Sequence, residues 1–230
     1  MQHHTKGIPI SFMLLGVLFV VCLITSNLLE TKILQVWGIG MTAGLLVFPI
    51  SYIINDCIVE VWGFKKARLL IWLGFAMNFL VICFTQIAIL LPAAPYWEGA
   101  TGFNFVFGFA PRIVFASLCA FLLGSFTNAY VMSKMKIASG GKHFSIRAIV
   151  STLAGESIDS LIFFPIAFFG MMPIEKLLQI MVVQVILKSL YEIVVLPLTV
   201  VTVRYLKKKE ELDVFDEDVS YNILKIREID

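Results

Sequence analysis

Charge is scarce in this chain, and so are the residue patterns on which most enzyme sites are built. Of 230 residues, 15% are Asp, Glu, Lys or Arg, against 59% hydrophobic residues, and the mean hydropathy is +0.91. That balance excludes an ordinary soluble domain and leaves an integral membrane protein. The three histidines, His3, His4 and His143, have no ligand spacing. The four cysteines, Cys22, Cys57, Cys83 and Cys119, lie in apolar runs without a CxxC or a Cys/His cluster, and read as small buried hydrophobes. HExxH, a Gly-x-Gly-Asp aspartate, GxSxG and the P-loop pattern are all absent. The expectation is therefore no enzyme, no metal and no cofactor, with any ATPase supplied by a partner. The net charge of +2 says less than the placement of the charges.

What the chain has in quantity is long apolar runs. Six have the length of a bilayer-spanning helix: Ile8 to Asn27, Ala43 to Trp62, Leu69 to Leu91, Arg112 to Met132, Ile149 to Phe169 and Leu177 to Val203. The first lacks a small-x-small cleavage site and is read as a retained span. Between the third and fourth, Pro92 to Pro111 reads as an interfacial loop or short helix. The last run is longer than a crossing needs and is expected to tilt or bend at Pro197. Residues 1–209 thus form an all-α membrane domain. The charged tail, 210–230, has no sustained apolar period and reads as flexible or as a short amphipathic piece.

Six spans put both termini on one side. Lys6, the Lys65/Lys66/Arg68 cluster, the loop from Lys134 to Arg147 and Lys207 to Lys209 all fall there, leaving Lys32, Arg112 and Lys176 on the other. The positive-inside rule puts the basic side in the cytoplasm. Three spans per half also imply halves of opposite orientation. Asn27 is separated from Asp56 by nearly the same distance as Asn128 from Glu156, and each middle span carries an acid pair, Asp56/Glu60 and Glu156/Asp159. An inverted three-plus-three repeat around a midplane site is a pattern of secondary transporters.

Those acids are the candidate site. Asp56 and Glu60 lie one helical turn apart, as do Glu156 and Asp159, so each pair shares a face. A charge in the bilayer interior costs about 2.5–3.5 kcal/mol on insertion scales, which excludes lipid-facing positions. The sixth span adds a stripe of Gln184, Lys188 and Glu192, with a Lys188–Glu192 ion pair setting helix register as the bland reading. Five interior acids then face one lysine, so some must be protonated, bind a cation or meet a ligand. Carboxylates suit a guanidine-like donor edge, and Asn27, Asn55, Asn128 and Gln184 suit a heterocycle carrying amides. Phe48, Tyr52, Phe163 and Phe164 offer stacking faces. Prolines 49, 165 and 197 are expected to free backbone carbonyls inside spans, most simply as kinks.

The run Pro49-Ile50-Ser51-Tyr52-Ile53-Ile54-Asn55-Asp56, with Glu60-Val61-Trp62-Gly63 after it, resembles the signature of the queuosine precursor transporter family, also called the vitamin uptake transporter family. So do Gly155-Glu156-Ser157-Ile158-Asp159-Ser160 with Phe163 and Phe164, and Lys188-Ser189-Leu190-Tyr191-Glu192 with Pro197. Trp62 departs from the tyrosine that the pattern favours. The resemblance covers residues 8–209 and leaves the tail without a role. It implies a bacterial inner-membrane importer of deazaguanine-type bases (cyano- or aminomethyl-deazaguanine, or queuine), salvaged for tRNA modification, working by alternating access. Asp56 and Glu156 would read the donor edge of the base or carry a coupling proton. Glu60 and Asp159 would complete the site, Asn55 and Gln184 would meet the remaining heteroatoms, and Lys188 and Glu192 would hold register. The expected partners are the base, the bilayer, a coupling proton or cation and, as for many small bundles, a second copy; nucleic acid is not expected. Two readings stand behind this one: a substrate-binding membrane subunit of an ATP-driven vitamin importer, and an intramembrane enzyme.

Overall fold

The computed structural model describes residues 9–36, 39–108, 111–170 and 173–225. His3, His4 and Lys6 lie outside the described residues, as do the side chains of Arg112 and Lys176.

The chain is a bundle of six long apolar helices, α1 (Ile10–Leu29), α2 (Phe48–Trp62), α3 (Phe64–Leu90), α5 (Pro111–Ala138), α6 (Phe144–Phe168) and α7 (Ile174–Glu210), with a short α4 (Ala100–Phe107) at the edge. Their outer faces are a lipid surface. On α7 the exposed side chains recur every turn, as Leu178, Val182, Ile186, Leu190, Val194 and Leu198. The opposite stripe, Met181, Gln184, Lys188 and Glu192, is buried. This arrangement inverts that of a soluble helix and is what a protein solvated by acyl chains requires.

The expected second span is not one continuous α-helix. A β-hairpin (β1, Ile33–Val36, antiparallel to β2, Ile39–Thr42) leads into a single 3₁₀ turn over Ala43–Leu46, and α2 restarts at Phe48. Pro49 falls in the first turn of α2, where its missing N–H costs nothing, so it is no mid-span kink. Pro165 and Pro197 do lie inside helices. The α2 helix is the axis of the bundle: it packs against α1, α3, α5, α6 and α7, and all its residues except Ile50 and Ile53 are buried.

The tightest helix pair is α5 with α6, and glycines allow it. A Cβ on Gly155 would lie 2.9 Å from the Gly124 carbonyl oxygen and 2.7 Å from Cε1 of Tyr52. Gly124 and Gly155 thus let the two backbones approach with the Tyr52 ring wedged against both. Short α4, in the segment expected to lie at the interface, is tied to α3 by the Gln86 amide donating to the Phe107 carbonyl (2.9 Å). The tail departs from expectation. Beyond α7 it runs back across the bundle as irregular chain and packs Val219, Tyr221 and Ile223 against the core.

Candidate functional site

The polar residues of α2 point in two directions of chemical meaning. Near its middle, Asn55 and Asp56 enter an amide relay with α5 and α6. The Asn55 side-chain amide donates to Asn128 Oδ1 (2.6 Å) and to the Ser125 carbonyl (3.2 Å). Asn128 in turn donates to Asp56 Oδ1 (2.9 Å) and to Thr152 Oγ1 (3.4 Å), which fixes its amide orientation. The Ser151 hydroxyl adds a longer bond to Asp56 (3.4 Å). From α7, the Glu192 carboxyl lies near both Asp56 and Thr152, while among the described residues Asp56 Oδ2 and Glu192 Oε2 have no hydrogen-bond partner. Among the described residues no lysine or arginine ion-pairs with Asp56 or Glu192.

Lys188 therefore does not pair with its neighbour on the helix, as the stripe suggested. It crosses to α6, where its ammonium lies 2.8 Å from Glu156 Oε2 and 3.4 Å from Asp159 Oδ2. The Phe48 ring centroid is 4.0 Å below it. Two carboxylates and an aromatic face are the standard surroundings of a buried ammonium. The Tyr52 hydroxyl, 2% exposed and without a hydrogen-bond partner, enters the same space beside Asp159. Glu156 Oε1 is likewise unpartnered. Gln184 is buried one turn away on α7. Glu30, at the end of α1, lies near Thr42, with Lys188 and Asp159 among the charges around it. It was not among the sequence candidates, although an acid directly ending a span was the signal to follow.

Asn27 belongs elsewhere. It accepts a hydrogen bond from Ser117 (3.0 Å) and lines a cavity of about 80 Å³ together with Glu30, Thr31, Asn78, Thr85 and Phe163. This cavity lies in the half of the bundle where α1 ends and α5 begins, and Glu30 joins its wall to the Lys188 cluster.

Glu60 is also set apart, at the opposite, basic end of the bundle. Arg147 from the start of α6 grips it with two hydrogen bonds (2.6 and 3.0 Å), and Lys207 from α7 adds a third (2.6 Å). Lys136 donates to the Glu60 backbone carbonyl (2.6 Å) and pairs with Asp213 (2.6 Å). The expectation that five acids share one lysine is thereby corrected, since Glu60 has two cations of its own. Arg147 was counted only as a loop charge. What could have revealed it is its place just inside α6, on the side of the bundle where α2 ends.

With this geometry in hand, comparison with known proteins is informative. Residues 42–202 match the model of a family described as "Putative vitamin uptake transporter". Over 175 residues the chain is 27% identical to the "Probable queuosine precursor transporter" of Bacillus subtilis (strain 168), spanning 76% of each chain. Over 144 residues it is 27% identical to the "Queuosine precursor transporter" of Escherichia coli (strain K12), spanning 63% of this chain and 62% of that one. No solved structure gives a significant match.

Proposed function

The chain belongs to the vitamin uptake transporter family, and on that premise we propose that it imports a queuosine precursor, a deazaguanine-type base, across the bacterial cytoplasmic membrane by alternating access. Both similar proteins carry names of queuosine precursor transporters. The observation that carries the reading is the buried cluster around Lys188. It holds one ammonium among Glu156, Asp159 and Glu30, an unpartnered carboxylate oxygen and an unpartnered tyrosine hydroxyl. Such a cluster offers acceptors and a donor to a planar amide-and-amine edge, with the Phe48 face beside it.

In this reading Glu156 and Asp159 receive the donor edge of the base, Tyr52 and Gln184 meet its heteroatoms, and Lys188 holds the two acids in place. Asp56 and Glu192 hold a coupling proton, with Asn55 and Asn128 fixing Asp56. Asn27 and Glu30 line the approach through the cavity. The basic end faces the cytoplasm by the positive-inside rule, and Glu60 with Arg147 and Lys207 closes it. The helices α1–α3 and α5–α7 act as the two arms of an inverted repeat. The break before α2 fits this, because transporter sites lie where a spanning helix is discontinuous.

The test is binding followed by uptake. In detergent, a deazaguanine should raise the melting temperature of the wild type while adenine and biotin do not. A ligand at a hundred times its Kd stabilises by about 2.7 kcal/mol. Glu156→Gln should lose the shift. Liposomes holding this chain alone, without ATP, should take up the same base. No shift with any deazaguanine would sink the substrate assignment, and uptake only with an added ATPase would replace the mechanism.

A further inference from the structure

The C-terminal segment is the part of the chain that the proposed function leaves unused, and it lies beyond the residues matched to the family. It is fastened at many points. After α7 ends, Asp213 pairs with Lys136 (2.6 Å) and Lys207 (2.9 Å), the two lysines that also hold Glu60. The Lys136 ammonium donates to the Val214 carbonyl (2.6 Å) and lies 4.7 Å from the Phe215 ring centroid. Asp216 accepts from the Phe64 backbone N–H with both oxygens (3.1 and 2.9 Å) and from the Ser133 hydroxyl (2.5 Å). A carboxylate on the first N–H of α3 meets the positive end of that helix. Further along, Arg68 donates to the Ser220 and Asn222 carbonyls and the Trp72 indole to that of Ile223. Tyr221 packs against Phe64 at a tilt, with centroids 4.9 Å apart. Gly63 completes the fit: its φ of +81° and the nearness of Asp216 and Val214 leave no room for a side chain.

The strap spans helices that alternating access must separate. It holds α2 and α3 through Val61, Phe64, Arg68 and Trp72, and α5 and α7 through Ser133, Lys136 and Lys207. Its two kinds of anchor differ in permanence. Asp216 is 3% exposed, whereas the Asp213 side chain is 46% exposed, so water can compete for the pair that touches the Glu60 lysines.

We infer that this strap is a moving part of the basic-end gate: Asp216 ties α3 to α5 across the two arms, Asp213 fastens the strap to Lys136 on α5 and Lys207 on α7, and the strap must leave for the central site to open on that side. The inference rests on the alternating-access reading, but its test needs no substrate. Cys57 lies on α2 one turn from Glu60 and is 2% exposed, and Cys22 on α1 is 5% exposed. A dry thiol cannot form the reactive thiolate, so both are slow to alkylate while the bundle is closed.

Full-length protein in detergent is treated with a charged maleimide and each cysteine is followed by peptide mass spectrometry. With Asp213→Asn and Asp216→Asn together, Cys57 should react about five to thirty times faster than in the wild type, the change expected for losing a few charge-assisted bonds. Cys22 should keep its rate, and the Asp213→Glu variant should stay protected. Unchanged Cys57 labelling in the double variant overturns the inference. So does a parallel rise at Cys22, which makes the strap a general support and not a gate. Binding of deazaguanine is measured separately, so the loss of one reading leaves the other standing.

Discussion

Replacing Arg147 with methionine tests the assignment of Glu60 to the closed basic end. The change removes both hydrogen bonds that Arg147 makes to Glu60, at 2.6 and 3.0 Å. It also removes those to the carbonyls of Lys142 (2.9 Å) and Gly141 (3.2 Å) that brace the turn before α6. The side chains of Glu60 and Arg147 are each 1% exposed, so water cannot replace what is lost. Removing one partner of a buried pair costs about 3–5 kcal/mol. Here Lys207 remains at 2.6 Å, which sets the expectation at the low end, about 3 kcal/mol. For a chain of this size that corresponds to a melting temperature lower by roughly 6–12 °C. The assay is thermal melting in detergent of the wild type, Arg147→Met and the double variant Glu60→Leu/Arg147→Met. The double variant should melt above the single one, because no uncompensated carboxylate is left behind. Glu60→Gln should keep the deazaguanine-induced shift. A single variant melting within about 2 °C of the wild type, or a Glu60→Gln protein that no longer binds the base, would refute the assignment.

Gly155→Ala should lower the melting temperature and weaken ligand binding together. The new methyl meets a backbone carbonyl and the Tyr52 ring, and overpacking of this kind costs about 1–3 kcal/mol. Lys188→Met should abolish the ligand shift, with Lys188→Met/Glu156→Gln melting above Lys188→Met because one unpaired acid is gone; equal melting of the two would deny the clasp. The strap should answer to pH. Burial alone would raise the Asp213 carboxyl, but hydrogen bonds and charge from Lys136 and Lys207 outweigh it and hold the group below the usual carboxylate range. A depressed group contributes stability above its unfolded value, about 3.9, and loses it as pH falls through the folded one. Hydrogen exchange of residues 212–223, corrected for intrinsic rate, should therefore stay constant from about pH 8 to 5 and rise only below about pH 4; loosening already near pH 6 would mean that another group holds the strap.

Much of this fold was legible because the bilayer imposes a coarse rule. Every span was visible as an apolar run, and the second was marked as central by the acids it carries. The break before α2 was not, since Ala43–Leu46 is as apolar as the helix that follows and nothing in its composition separates a 3₁₀ turn from an α turn. The polar residues of the spans were legible as interior groups but not as partners. Lys188 and Glu192 are spaced to pair along one helix, yet Lys188 finds two carboxylates across the interface on α6, and the stronger field decides. The tail was illegible because it docks as irregular chain, with neither helix nor strand over residues 211–225. Val219, Tyr221 and Ile223, at alternate positions, pack on one core cluster and Phe215 lies against Gly141, so no helical period forms.

The two acids of α2 show how depth in the bundle selects chemistry. Asp56 lies mid-helix, where no lysine or arginine among the described residues reaches it, and it is met by an amide, a hydroxyl and another carboxyl. Glu60 lies one turn nearer the basic end, within reach of side chains whose long stems bring charge in from the loops, and it is met by Arg147 and Lys207. A group held by neutral partners can change its protonation at small structural cost, whereas one held by fixed cations can change only by parting from them. Asp56 and Glu60 lie one turn apart on α2, so in the proposed cycle a shift of that helix that parts Glu60 from Arg147 would also strain the Asn128 contact of Asp56. If the proposed alternating-access cycle holds, coupling between the acid at the middle of α2 and the one at its basic end would need no pathway longer than a single helical turn.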